Sequence, residues 1–217
     1  MSEETEGLYA AHEKVYPQAV HGFFRRMKWT ILLVAYAVYF LLPYMPWGDR
    51  NAVLFDIPGR QFFLFGLRVA PEDIIWLSGL LFIAAIALFF VTSLAGRVFC
   101  GYFCFQTLWS DVFLWIEEKV EGGRSRRLRL DKQSMNLTKA WKKGLKHALW
   151  LLVALLTGIT FTLYFEDTWT LWQEFLTFQA PVPALVTAGL LTATTYTMAG
   201  WAREQVCTYM CPYARFQ

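Results

Sequence analysis

The sequence predicts an all-α membrane protein with four transmembrane helices, arranged as two pseudo-repeats, and one cytoplasmic interfacial helix. Of its 217 residues, 56% are hydrophobic and only 17% are charged, a balance more apolar than that of ordinary soluble domains. Four runs lack charged residues and each is long enough to cross a bilayer, which takes about 18 residues. They cover residues 29–48, 74–96, 148–165 and 175–202. The first run follows a long polar stretch, so we predict a retained anchor and not a signal peptide.

The charged residues are distributed unevenly between the loops. The loop after the second run is rich in lysine and arginine, whereas the loop after the third run carries Glu166, Asp167 and Glu174 and no basic residue. Cytoplasmic loops of membrane proteins carry the excess of basic residues. We therefore expect both termini and the middle loop to be cytoplasmic. The bilayer is the first predicted partner.

The chain divides by composition into four segments. Residues 1–28 form a cytoplasmic N-terminal segment, 29–104 a first two-span half, 105–146 a helix and basic linker, and 147–217 a second two-span half. Apolar residues of 105–116 follow the helical period, which predicts a short helix in the membrane interface that ends at Gly122-Gly123. Residues 124–146 are predicted to be solvated, and anionic lipid head groups explain their charge better than nucleic acid.

Two further local predictions concern the start of the last helix and the loop between the first two runs. Pro181 and Pro183 place the start of the last helix near Pro183, because proline is tolerated in the first helical turn. Residues 61–65 are predicted to form a short strand or an interfacial segment.

All four cysteines lie in two C-x-x-x-C pairs, each just past the end of a long apolar run. On a continuing helix, residues four apart lie on one face with Cβ atoms about 5–6 Å apart, which suits a shared metal better than a disulfide. Each cysteine of the second pair follows the matching cysteine of the first by 107 residues. This equal spacing predicts two parallel halves that bring the pairs together. Four thiolates would form a soft site for copper(I), zinc or an iron–sulfur cluster. The spacing alone does not choose among these groups.

Several neighbours of the cysteines could tune such a site. Arg97 and Arg203 precede the pairs, and their positive charge would lower the thiol pKa, although either arginine could equally serve only to fix the topology. Pro212 would end the helix and orient Cys211. The remaining soft or nitrogen donors are interpreted as packing or interfacial residues and not as ligands: Met198, Met210 and His147.

Two stretches of the sequence resemble a known family. Residues 100–109, CGYFCFQTLW, and 203–217, REQVCTYMCPYARFQ, are similar to the membrane portion of the CcoG/FixG/RdxA family of accessory proteins for assembly of cbb-type cytochrome c oxidase. The resemblance implies a multi-pass protein of the bacterial inner membrane. It further implies reduction of copper(II) to copper(I), with oxidase assembly factors and copper transporters or chaperones as partners.

The resemblance also assigns roles to residues. Both catalysis and copper binding are expected at Cys100, Cys104, Cys207 and Cys211. Phe105 stands where the family has proline, so we expect a less sharply bent first helix end. The resemblance implies a further ferredoxin-like domain, which we expect this chain to lack. We therefore expect [4Fe–4S] clusters only in that missing domain and copper as the cofactor here.

Two other functions fit the same residues. One is a non-catalytic anchor whose cysteines hold a structural zinc. The other is an electron-transfer subunit with iron–sulfur or quinol chemistry. No nucleic-acid partner is expected. The oligomeric state stays open, a homodimer included.

Overall fold

The computed structural model describes residues 22–48, 50–96, 98–133, 136–177 and 179–211, most of which are helical. The α-helices are α1 Phe23–Leu41, α2 Ile74–Ala95, α3 Val98–Tyr102, α4 Phe105–Glu121, α5 Arg124–Lys132, α6 Leu137–Thr162, α7 Thr168–Thr177 and α8 Val182–Thr195. After α8 come a π-helical turn, Tyr196–Trp201, the short helix α9, Arg203–Gln205, and a second π-helical turn, Val206–Met210.

Among the residues that the structure describes, four helical segments are long and apolar enough to cross a membrane, consistent with the predicted all-α membrane protein. They are Phe23–Tyr44, Pro71–Ala95, Leu137–Thr162 and Val182–Trp201. The last helix begins at Val182 with Pro183 in its first turn, as predicted. The predicted N-terminal segment lies mostly outside the described residues, and its described end, from Phe23, is the first part of α1.

Between α1 and α2 the chain forms short antiparallel strands. They are β1 Pro46–Trp47, β2 Arg50–Asn51, β3 Val53–Asp56, β4 Gln61–Leu64 and β5 Leu67–Val69, paired as β1-β2 and β3-β4-β5. Of the strand and the interfacial segment that were the alternatives for 61–65, the structure has the strand, β4. Asn51 donates a hydrogen bond to the Thr168 hydroxyl at 3.0 Å, and Thr168 donates to the Pro43 carbonyl at 2.8 Å. These bonds attach the strand region to the start of α7.

Helix α4 is the centre of the core. It runs antiparallel to α6, because Trp109 donates to Thr157, Phe113 packs on Trp150, and Glu117 lies near Lys146. Leu108, Trp109, Phe113 and Ile116 are buried in one cluster with residues of α1 and α6. The predicted interfacial position is therefore not confirmed. An amphipathic helix can leave the interface when its polar face is covered, and here basic side chains cover it.

The prediction of a solvated linker over 124–146 is wrong for three basic side chains, which are buried, while Arg124, Arg126, Arg129 and Lys132 are exposed. Residues 124–132 are α5, and α6 begins at Leu137 and not near Ala148. Arg127, Lys139 and Lys146 are only 6%, 8% and 5% exposed. Buried charges must be paired, and these cations find carboxylates on α4 or backbone carbonyls at the end of α5. The sequence showed their charge but not these partners.

Helices α6 and α8 approach each other closely at Gly158. A Cβ atom at this position would lie 2.5 Å from the Ala188 carbonyl oxygen and 2.6 Å from the Thr192 hydroxyl. Small residues allow such close backbone approach between membrane helices. The contact fixes α8, and through it the π-helical turn that leads to the second cysteine pair.

Candidate thiolate site at two helix breaks

The first cysteine pair spans a break between two helices. Cys100 lies in α3, whereas Cys104 has extended backbone angles, φ −66° and ψ 126°, and precedes α4. The amides of Phe103 and Cys104 both donate to the Phe99 carbonyl, at 2.9 and 3.0 Å. The continuing helix that the spacing suggested is therefore absent at this pair, and the helix end is sharp although Phe105 replaces proline.

The second pair has the same order of conformations. Cys207 lies in a π-helical turn, and the amide of Cys211 closes that turn by donating to the Val206 carbonyl at 2.9 Å. Cys211 is extended, with φ −79° and ψ 112°. In both pairs a helical cysteine is thus followed by an extended one. Pro212, which we expected to orient Cys211, lies outside the described residues.

Side-chain contacts join the two cysteine segments. The Gln106 amide, two residues after Cys104, donates to the Met198 carbonyl at 2.8 Å. Farther along α4, Arg203 donates to the Glu117 carboxylate at 3.2 Å. The Thr107 hydroxyl donates to the Cys100 carbonyl at 2.7 Å. The start of α4 is therefore tied both to α3 and to the segment before Cys207.

The thiols of both pairs affect the pKa of Cys207. Partial burial raises the pKa of Cys207, and the charges of Cys104, Cys211 and Cys100, in that order of size, raise it further. Coulomb energy falls with distance. Cys104 of the other pair thus acts on Cys207 more strongly than Cys211, its partner within the pair. Sequence spacing could not have given this relationship.

The four thiols do not form a metal-ligand set in the described residues. No disulfide joins the four cysteines, and Cys207 is exposed while the other three are partly buried. Within the described parts of the chain, no three Cys, His, Asp or Glu side chains are placed closely enough to hold a metal ion. A site shared by all four thiolates therefore stays a prediction.

The expected effect of the arginines is wrong for Cys207. Arg203 pairs with Glu117, so its positive charge is largely neutralised, and the pKa of Cys207 is raised and not lowered. A neighbouring cation stabilises a thiolate only when no closer anion offsets its charge. Arg97 lies outside the described residues.

The other candidate donors have different surroundings. His147 Nδ1 lies 2.9 Å from the Tyr196 hydroxyl, and its ring meets Trp150 edge to face. Met198 contributes its backbone carbonyl to Gln106, and Met210 is 61% exposed. Their interpretation as packing or interfacial residues and not as ligands stays a prediction.

Sequence reasoning missed the acidic residues of α4. Asp111 and Glu117 are 6% and 4% exposed, and both are ion-paired. The sequence did place both carboxylates in a helix with an apolar period. Carboxylates are costly to bury without cationic partners, so this placement could have indicated buried ion pairs.

The fold and these contacts define a class: a four-span membrane protein with paired cysteines at two helix breaks. The profile of the 4Fe-4S binding domain family matches residues 77–122, which include the first pair. Protein RdxA of Cereibacter sphaeroides is 44% identical over 98% of this chain and 46% of its own length. Nitrogen fixation protein FixG of Rhizobium meliloti is 43% identical over 97% of this chain and 41% of its own length.

A further relative, Protein RdxB of Cereibacter sphaeroides, is 43% identical over 99% of this chain and 46% of its own length. The chain belongs to the FixG/RdxA family, as its cysteine motifs indicated. It spans less than half the length of these curated relatives. No solved structure matches it.

The family match corrects the expected cofactors. We expected copper here and [4Fe–4S] clusters only in a missing domain, but the 4Fe-4S binding domain lies within this chain, at residues 77–122. The matched stretch holds only Cys100 and Cys104, and such clusters are held by four thiolates. Cys207 and Cys211 complete the number and type of donors. The residues of this chain thus fit the group chemically.

Proposed function

We propose that the chain is the membrane electron-transfer part of a redox accessory protein, in which the four cysteines act as one site. The carrying observation is that Gln106 and Glu117, on the helix that follows Cys104, hydrogen-bond to Met198 and Arg203, in the segment before Cys207. Cys100, Cys104, Cys207 and Cys211 would hold a [4Fe–4S] cluster, which supplies one-electron transfer when bound.

The protein's own residues have separate tasks in this proposal. Helix breaks place Cys104 and Cys211 in extended backbone, outside the regular helices. Gln106 and Glu117 keep the second segment against α4 through Met198 and Arg203. The equal spacing and conformation of the two pairs support an arrangement of the halves as parallel repeats.

The test is anaerobic reconstitution of the protein with iron and sulfide. Iron and acid-labile sulfide are then measured, together with the electron paramagnetic resonance of the reduced sample. Replacing Cys207 and Cys211 with serine leaves only two thiolates, so the whole cluster should be lost, and replacing Cys100 and Cys104 should do the same. Met198→Leu removes a different sulfur and should leave the iron content unchanged. Two clusters lost independently, one with each pair, would refute a single shared site.

A second candidate function is reduction of copper(II), with copper as substrate. It is favoured by the exposure of Cys207, which an incoming ion can reach from the surface. Two thiols would reduce two copper(II) ions to copper(I), form one disulfide and release two protons. Oxidase assembly factors and copper carriers would then accept the product. A chromophoric copper(I) chelator tests this candidate.

We also propose that both cysteine pairs face the cytoplasm and that both termini lie there. The support is the distribution of charge, since the basic residues are concentrated in the segments next to α1, α4, α5 and α6. Arg25 and Lys28 at the start of α1 pair with Asp111 of α4, which gathers these basic segments at one end of the helices.

A further inference from the structure

Glu117 is the meeting point of a buried ion cluster. Its side chain lies 3.1 Å from Arg127, 3.2 Å from Arg203 and 3.9 Å from Lys146. The carboxylate is 4% exposed, so these charges interact with little screening by water. The cluster draws cations from three different parts of the chain onto α4.

One of these ion pairs joins the two cysteine segments. Helix α4 begins directly after Cys104, and Arg203 lies four residues before Cys207. The chain on either side of Arg203 is π-helical, at Tyr196–Trp201 and Val206–Met210. Such turns are rare, are typically single interruptions of a helix and are frequent at functional sites. A segment of this kind takes its position from contacts with its neighbours more than from a long regular helix.

We propose that Glu117 is a positioning residue that acts through Arg203 to hold Cys207 beside Cys104. The inference deepens the proposed function, because it rests on the four cysteines forming one site. The ion-pair partners of Glu117 are Arg127, Lys146 and Arg203, and we assign it no part in electron transfer. Its role is to fix the distance between the pairs, on which shared ligation depends.

Asp111 provides a matched control on the same helix. It is 6% exposed and also accepts two cations, Arg25 at 3.4 Å and Lys28 at 2.7 Å. Those partners belong to α1 and not to the second cysteine segment. Asp111→Asn therefore disturbs a buried ion cluster of similar size without loosening the link to Cys207.

The experiment measures thiol cross-linking in the reduced, metal-free, full-length protein in lipid nanodiscs. A short bis-maleimide is added, and mass spectrometry of peptides gives the ratio of Cys104–Cys207 to Cys207–Cys211 products. We expect Glu117→Gln and Arg203→Gln each to lower this ratio at least tenfold. Asp111→Asn should leave it unchanged. The Cys207–Cys211 product is the internal standard. A general loss of thiol reactivity would lower both products and leave their ratio unchanged.

A double variant shows whether Glu117 acts through Arg203. If it does, Glu117→Gln combined with Arg203→Gln lowers the ratio no further than Arg203→Gln alone. Additive losses would overturn the proposal, as would an unchanged ratio in either single variant or an equal fall in Asp111→Asn. Where Glu117→Gln fails to fold, Arg203→Gln decides, because it leaves Glu117 paired with Arg127 and Lys146.

The same data separate this inference from the proposed function. Wild-type protein that yields no product between the pairs would refute the shared site itself, and the inference with it. If wild-type protein yields the Cys104–Cys207 product and Glu117→Gln leaves the ratio of products unchanged, only the positioning role is refuted.

Discussion

The guanidinium of Arg203 donates to the carboxylate of Glu117 at 3.2 Å across 86 residues of sequence. The pair links a helix that starts after one cysteine pair to the segment that leads to the other. It also removes Arg203 as a free cation near Cys207, whose thiol pKa is raised. The electrostatics of the site therefore differ from what a basic residue next to a cysteine suggests.

Alkylation of Cys207 should require a higher pH than alkylation of an ordinary cysteine. The thiolate is the reactive form, and a raised pKa keeps the thiol protonated through neutral pH, so the rate rises only as pH passes the raised pKa. The rate of modification by a neutral maleimide, followed against pH in reduced, metal-free protein, measures this. Cys104→Ser removes the neighbouring thiol with the largest effect and should move the midpoint back toward the ordinary value. A midpoint below that of a cysteine peptide would contradict the prediction.

Gly158→Ala should destabilise the protein by about 1–3 kcal/mol, the usual cost of inserting a methyl group into a packed interface. The new Cβ would lie 2.5 Å from the Ala188 carbonyl oxygen, so α6 and α8 would have to move apart. Thermal or denaturant unfolding in lipid nanodiscs measures the change. Gly189→Ala is the control, because a Cβ there meets no atom within 4 Å. Equal behaviour of both variants would show that the close approach has no energetic role.

Thiol labelling from the outer side should leave the cysteines unmodified. Positive-inside topology puts both pairs on the cytoplasmic side, out of reach of a membrane-impermeant maleimide added to intact spheroplasts. The same reagent should label exposed Cys207 after the membrane is opened. An engineered cysteine at Gly66, in the loop between β4 and β5, serves as the external control and should react from outside. Rapid labelling of Cys207 in intact spheroplasts would reverse the proposed orientation.

Copper(II) added to reduced, metal-free protein should give a burst of copper(I) limited by the four thiols. Each disulfide formed releases two electrons, so the burst should fall by about half when one pair is replaced with serine and vanish when both are. A copper(I) chelator and a count of remaining thiols measure the stoichiometry. Sustained reduction without an added electron donor would show that the electrons do not come from these cysteines.

The membrane spans could be predicted because their signal is local. Long charge-free runs must be helical in a bilayer, so the number of spans and the start near Pro183 follow from composition alone. The four cysteines could likewise be found from their spacing. Contacts between residues far apart in the sequence could not be predicted in this way, because no local pattern indicates them. The charge of Arg127, Lys139 and Lys146 therefore suggested solvent, although α4 and the end of α5 supply their partners.

The backbone conformation at the cysteines could not be predicted from the sequence either. Four-residue spacing is compatible with a continuing helix, and nothing in the letters shows that Cys104 is extended. The hydrogen bonds that close α3 at Phe99 and the contact of Gln106 with Met198 decide the geometry there. They depend on helices that meet only in the folded molecule.

The separation of the two pairs by 107 residues also sets a schedule for assembly in the cell. At about 5–20 residues per second, a ribosome makes the second pair roughly 5–20 s after the first. During that interval Cys100 and Cys104 offer only two thiolates. A group that needs four ligands can then be loaded only after α8, which precedes the second pair, has been made. Cluster insertion would thus follow the synthesis of both halves described here.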